Sequence, residues 1–165
     1  MPTVIHSFGP DVSTDVIYPG RFMATVLPAE TPQFAFADER ELNARLKTGQ
    51  IPPGSVILAG RNFGCGSSRE QAVSCLKGHE LCLVAQSFAR IFLQNAINLG
   101  LKVVTCPDLI ADVGDELEIS ATEVRNVSCG FAFAVVPLPE SRQAIIDAGG
   151  LISYTRRRLV AAATA

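Results

Sequence analysis

Apolar and polar positions divide the chain into two stretches of different character. Thr3 to Phe8, Ser55 to Ala59, Leu81 to Ala85 and Lys102 to Thr105 are short, largely apolar runs, the pattern of strands buried on both faces. Helix-period segments lie between them. Asp38 to Lys47 puts Leu42 and Leu46 on one face, with Gly49 to end it. A second helix is expected from Ser67 to near Gly78. A third is expected from Ser87, carrying Phe88, Ile91, Phe92, Asn95 and Leu99 and capped by Gly100. Gly9 to Thr31 is rich in proline and glycine and reads as loop. Such alternation of strand and helix implies a parallel sheet, whose ligands gather beyond the carboxyl ends of its strands. Beyond Glu116 the pattern changes. Glu116 to Ser120, Glu123 to Ser128 and Phe131 to Pro137 read as strands joined by short turns, and Glu140 to Asp147 as a short helix. The expected fold class is α/β, with a mixed sheet that has a parallel core and an added antiparallel portion.

Composition narrows this picture without naming a function. With 165 residues, 48% of them apolar, the chain is expected to form one domain, 1–165, with a substantial core. A formal charge of −2 gives no general attraction to nucleic acid or to anionic membrane. Arg156 to Arg158 is an isolated basic triplet and reads as a solvated tail or a subunit contact. Met1 to Pro10 has no basic and apolar leader, and no apolar run approaches the ~18 residues that span a bilayer. A soluble, cytoplasmic protein is expected, with no nucleic-acid or membrane partner. The five cysteines, Cys65, Cys75, Cys82, Cys106 and Cys129, form no C-x-x-C pair and match neither zinc nor common iron–sulfur spacing. They read as reduced, mostly buried thiols, with no metal held by this chain. His6 and His79 are far apart and near no acidic pair.

Candidate chemistry concentrates in Gly60-Arg-Asn-Phe-Gly-Cys-Gly-Ser-Ser-Arg-Glu-Gln-Ala72, directly after an expected strand. Gly64 and Gly66 let the backbone come close to a ligand. Ser67-x-x-Glu70 has the spacing of a capping box, which places a helix start at Ser67. A helix start, two hydroxyls and the Arg69 guanidinium together suit a small anion. Taken alone, the Ser-x-x-Glu spacing is also that of an ordinary helix start, with Arg69 a solvated first-turn residue. A nucleotide phosphate loop fails on detail, because G-x-x-x-x-G-K-[ST] is absent.

The string Phe63-Gly-Cys-Gly-Ser-Ser-Arg-Glu70 resembles the active-site signature of the aconitase superfamily, in the form found in the small subunits of isopropylmalate isomerase and homoaconitase-like relatives. Ser13-Thr-Asp-Val-Ile-Tyr-Pro-Gly-Arg21 resembles the family's T-D-x-I-x-P-G-R segment. Ser87-Phe-Ala-Arg-Ile-Phe92, followed by Asn95 and Asn98-Leu-Gly-Leu101, resembles its S-F-A-R-I-F helix. The resemblance implies a swivelling β/β/α domain that works as a separate small subunit. It implies dehydration and rehydration of a malate-type hydroxy acid, with Ser67 as the base. Ser68, Arg69, Asp15, Thr14, Met23 and Ala24 would meet the substrate. A 4Fe–4S cluster is expected on a partner large subunit, in a heterodimer or heterotetramer, and no cofactor on this chain. Arg90 reads as structural, tying its helix to the site loop by a salt bridge.

Within the family, substrate choice is attributed to the residues after P-G-R, here Phe22-Met-Ala-Thr25. Ala24 stands where a homoaconitase-type site would carry an arginine. An apolar substituent such as isopropyl is therefore expected. Gln71 and Val73 replace the usual histidine and proline of H-A-P, and Gln86 replaces a lysine. Gln71 also occurs in homoaconitase-like relatives. The alternatives are the small subunit of homoaconitase, that of a methyl- or dimethylmalate dehydratase, and a non-enzymatic module that binds a small anion for regulation.

Overall fold

The four apolar runs become β1 (Val4–Phe8), β2 (Val56–Ala59), β3 (Cys82–Ala85) and β4 (Lys102–Thr105), all parallel and in the order β1-β2-β3-β4. The computed structural model describes residues 1–164; Ala165, the last residue of the expected 1–165 domain, lies outside them. Successive strand residues point to opposite faces. Ile5, Ile57, Leu83 and Val103 enter one core, and Val4, Val56, Leu58, Cys82 and Val84 enter another. Burial on both sides is why these runs are apolar throughout rather than alternating.

Helices cover the first face. They are the single turn α1 (Thr14–Ile17), then α2 (Arg40–Lys47), α3 (Glu70–Gly78) and α4 (Arg90–Leu99). Ile17, Leu42, Leu46, Val73, Leu76, Phe92 and Ile97 pack there. A second, antiparallel sheet covers the other face, with strands β5 (Leu117–Ile119), β6 (Glu123–Asn126) and β7 (Phe131–Ala134). Leu117 and Val124 close the second core, with Phe133 at its edge. The expected parallel core and antiparallel portion are thus both present. The antiparallel portion stands as its own sheet, joined to the first by the bridges Thr3–Glu116 and Thr105–Val136. The chain ends in α5 (Glu140–Asp147) and α6 (Leu151–Ala163). No described helix is long and apolar enough to cross a membrane.

Two local expectations give way to tertiary contacts. The helix expected from Ser67 starts at Glu70: Arg69 holds the cap position in an extended conformation, and the Ser67 carbonyl accepts from Thr14 Oγ1 at 2.9 Å. The helix expected from Ser87 starts at Arg90, because Phe88 pairs with Phe63 as one more rung of parallel ladder. There the Phe63 N–H donates to the Ser87 carbonyl at 3.0 Å, and the Ala89 N–H donates to that of Phe63 at 2.9 Å. The segment 9–31 is not all loop: Ser13 caps α1 through the Val16 N–H, and a 3₁₀ turn spans Gly20–Phe22. Arg156 to Arg158, expected in a solvated tail or a subunit contact, lie within α6 and are exposed. Gly100 ends α4 as expected, in the left-handed region at φ 71°.

Candidate functional site

Because β1, β2 and β3 are neighbours and parallel, the loops that leave their carboxyl ends lie side by side, and each is zipped to the next. The Asp11 N–H donates to the Arg61 carbonyl at 2.9 Å, the Gly64 N–H to that of Val12 at 2.8 Å, and the Thr14 N–H to that of Cys65 at 2.9 Å. Ser13 and Cys65 form a parallel bridge. On the other side the Asn62 N–H donates to Ser87 Oγ at 2.8 Å. Gly64 is where this sheet-like extension is pressed onto α4. Its φ is +81°, and a Cβ there would lie 2.2 Å from Phe92 Cγ. Only glycine satisfies both conditions.

The loop and the first turns of α4 enclose a cavity of about 230 Å³, whose lining includes Thr14, Ser67, Ser68, Arg69, Arg90 and Asn95. Ser67 and Ser68 are exposed, and neither hydroxyl has a partner among the described residues. The peptide of Ser67 is fixed by buried Thr14, as described above. The Arg69 side chain is only 14% exposed, whereas that of Asp15 is 61% exposed. Arg69 donates to the Asp15 carboxylate and, at 3.2 Å, to the Tyr18 carbonyl. The guanidinium is thus held rigidly at the cavity wall, and Asp15 acts on the cavity through Arg69 without lining it.

Met23 and Ala24 are not brought to this cavity. They follow the Gly20–Phe22 turn. Met23 is half-buried against the helix-side core, and Ala24 is exposed. Gln71 Nε2 donates to the Met23 carbonyl at 3.4 Å, so the glutamine that departs from the family's histidine ties α3 to this loop. Arg21, the nearest cation in sequence, is engaged by Asp38 through two hydrogen bonds of 2.6 and 3.1 Å. Those bonds hold the Asp38 carboxyl below its ordinary value.

Sequence reasoning passed over Arg90 and Asn95 as site residues. Arg90 was expected to make a salt bridge; it forms no ion pair among the described residues and lines the cavity instead. The signal was present in the four-residue spacing of Ile91 and Asn95, which puts both on one helix face beside the loop.

The cysteines do not fit an iron–sulfur cluster. Cys75 packs in the helix-side core, and Cys82 and Cys106 pack in the core on the opposite face of the sheet. Burial pushes the Cys75 thiol up and the Cys82 thiol up to about 12, away from the thiolate a metal needs. No group of three or more His, Cys, Asp or Glu side chains is placed to share a metal among the described residues. His79 bonds the Pro32 carbonyl and His6 lies against Phe8, so neither stands with Cys65, whose thiol points at the Asp11 carbonyl.

Comparisons with known proteins agree on the family. Residues 29–108 match the aconitase C-terminal domain family. The 3-isopropylmalate dehydratase small subunit of Methanosarcina acetivorans is 43% identical over 155 residues, covering 91% of this chain and 93% of that one. The chain belongs to the 3-isopropylmalate dehydratase small-subunit family. Another member, the isopropylmalate/citramalate isomerase small subunit of Methanocaldococcus jannaschii, is 39% identical over 161 residues, covering 94% of this chain and 93% of that one. The crystal structure of a 3-isopropylmalate dehydratase from Methanocaldococcus jannaschii superimposes with a TM-score of 0.87 at 35% identity, covering 98% of this chain and 96% of that one. The aconitase C-terminal match takes in Ser67, Ser68, Arg69, Arg90 and Asn95, and leaves Thr14, Asp15, Met23 and Ala24 before its start.

Proposed function

We propose that residues 1–165 act as the small subunit of a hydro-lyase that interconverts 2- and 3-isopropylmalate by removing and re-adding water. It would work in the cytoplasm, with a large subunit, as a heterodimer or heterotetramer. The observation that carries this reading is the pair of unengaged hydroxyls, Ser67 and Ser68, beside a rigidly held Arg69, in a chain 43% identical to a 3-isopropylmalate dehydratase small subunit.

Dehydration takes a proton from the carbon next to a carboxylate, turns that C–H electron pair into a C=C bond, and expels hydroxide from the adjacent carbon. Ser67 Oγ is the proton acceptor. A free serine hydroxyl is a poor base, so its ionised form needs donors and positive charge nearby. Arg69 supplies charge at the same cavity, and Thr14 fixes the Ser67 peptide that aims the hydroxyl. Arg69 also grips a substrate carboxylate with its planar fork, with Ser68 assisting, while Asp15 holds that fork in place. Departure of hydroxide calls for a Lewis acid, which a 4Fe–4S cluster held by the large subunit would supply when bound. Returning the proton and a hydroxide, together one water, to the exchanged carbons completes the isomerisation.

The Met23–Ala24 loop favours an alkyl substituent. Ala24 offers no partner for a charge, and the nearby Arg21 is taken by Asp38. Ala24 is exposed in this chain and lies outside the cavity, so the loop would meet the substituent only where the large subunit covers it. A third carboxylate buried there unpaired would be expensive. The relative named isopropylmalate/citramalate isomerase keeps a methyl-substituted substrate as a second reading.

The test is kcat/KM of the assembled enzyme for isopropylmalate, citramalate and homoaconitate. Both alkylmalates should exceed the tricarboxylate. Isopropyl should exceed methyl, from which it differs by two carbons, each able to discriminate by ~10–200-fold. Preference for homoaconitate would refute the apolar assignment of this loop.

A further inference from the structure

Arg90 and Asn95 line the same cavity as Ser67 and Arg69, and neither side chain has a hydrogen-bond or ion-pair partner among the described residues. Arg69 is different, since the chain itself supplies its counter-charge in Asp15. Arg90 is also placed against electrostatic preference. It opens α4, where a cation meets the positive end of the helix, and the cap residue Ala89 offers no side-chain acceptor. Two guanidinium groups therefore share one small cavity whose lining holds no carboxylate, and the one carboxylate beside it, Asp15, is taken by Arg69. Asn95, half-buried one turn after Ile91 on the same wall, adds amide donors with nothing among the described residues to receive them. At about 230 Å³ the cavity falls below the ~300–1,000 Å³ of sites for drug-sized ligands and suits a small acid.

We infer that Arg90 and Asn95 form a second carboxylate-binding corner of this cavity, so that a dicarboxylate is held at one end by Arg69 and Ser68 and at the other by Arg90 and Asn95. The identity of the substrate rests on the hydro-lyase reading. The anion-binding role of the two side chains does not. Both are binding residues, since neither exchanges a proton in the proposed reaction.

Two measurements decide this. In the enzyme assembled with its large subunit, Arg90→Gln should raise KM by about 10–100-fold and leave kcat nearly unchanged, the signature of an interaction equal in ground and transition states. Asn95→Asp should raise KM by like-charge repulsion, and Arg90→Lys should recover part of the loss, because a point charge replaces the fork incompletely. In the isolated chain, titration with malate followed by NMR should shift the Arg90 Nε–H and the Asn95 side-chain amide, and Arg90→Gln should abolish the Asn95 shift. An unchanged KM with weakened subunit association would overturn the inference, since Arg90 would then pair with an acid of the large subunit. Malate shifts confined to residues 64–69 would overturn it as well. Absence of any turnover in the wild-type assembly would count against the hydro-lyase reading alone, and the malate titration would still decide the role of Arg90 and Asn95.

Discussion

The two faces of the parallel sheet are closed in different ways, and only one closure leads to chemistry. On the helical face, the loops after β1, β2 and β3 continue the strands' own pairing beyond the sheet and present serines and arginines at a cavity. On the other face, β5, β6 and β7 are short hairpin-joined strands that contribute little more than Leu117 and Val124 to a smaller core. Much of that region is exposed, including Phe131 at 67%. Parallel neighbours deliver three consecutive loops to one edge, whereas an antiparallel meander sends its turns to alternate ends. The antiparallel sheet therefore serves as a cover, and the parallel sheet positions the site.

That contrast breaks most visibly at Gly64. Gly64→Ala combines a left-handed backbone with a Cβ inside the Phe92 ring, so it should cost about 2–4 kcal/mol and most of the activity. Urea unfolding checks the first part and assembled turnover the second. An unaltered midpoint would mean that the loop slides away from α4 freely.

A smaller effect, of stability alone, is expected under the cover sheet. Buried Asn126 donates to the Ile110 carbonyl at 3.2 Å and to the Asp115 carboxylate at 2.7 Å, and accepts from the Ser128 N–H at 3.0 Å. Asn126→Ala should cost about 1–3 kcal/mol, the range for orphaned buried polar groups. The kcat and KM of the assembled enzyme should stay as they were. A kinetic change would show that the two faces are coupled and that the cover does more than cover.

The parallel strands were legible because burial on both faces leaves a continuous apolar run, as in Leu81 to Ala85. The three hairpin strands were legible from their turns. The helix starts at Ser67 and Ser87 were misread for one physical reason. Each segment is held extended by partners far away in sequence, Thr14 for the first and Phe63 for the second, and local spacing carries no trace of them. α1 was hidden among prolines and glycines, although Ser13 was available as its cap. α6 was missed because none of its residues is buried, so no apolar stripe marks it. Ser67, Ser68, Arg69 and Thr14 were found from motif resemblance and do meet at one cavity. The same resemblance pointed to Met23 and Ala24, which sit on a separate loop in this chain. Arg90 was in view but assigned a salt bridge, because spacing alone does not tell which way an arginine points.

In the proposed reaction Ser67 serves chemistry and not helix capping, and Ser67→Ala separates the two roles. Since α3 begins at Glu70 without a Ser67 cap, the substitution should change unfolding free energy by less than about 0.5 kcal/mol, as for an ordinary surface site. Turnover of isopropylmalate by the variant assembled with the large subunit should fall by about 10²–10⁴, the usual loss for a general base. Near-normal turnover in a stably folded, fully assembled Ser67→Ala enzyme would show that Ser67 is not the base.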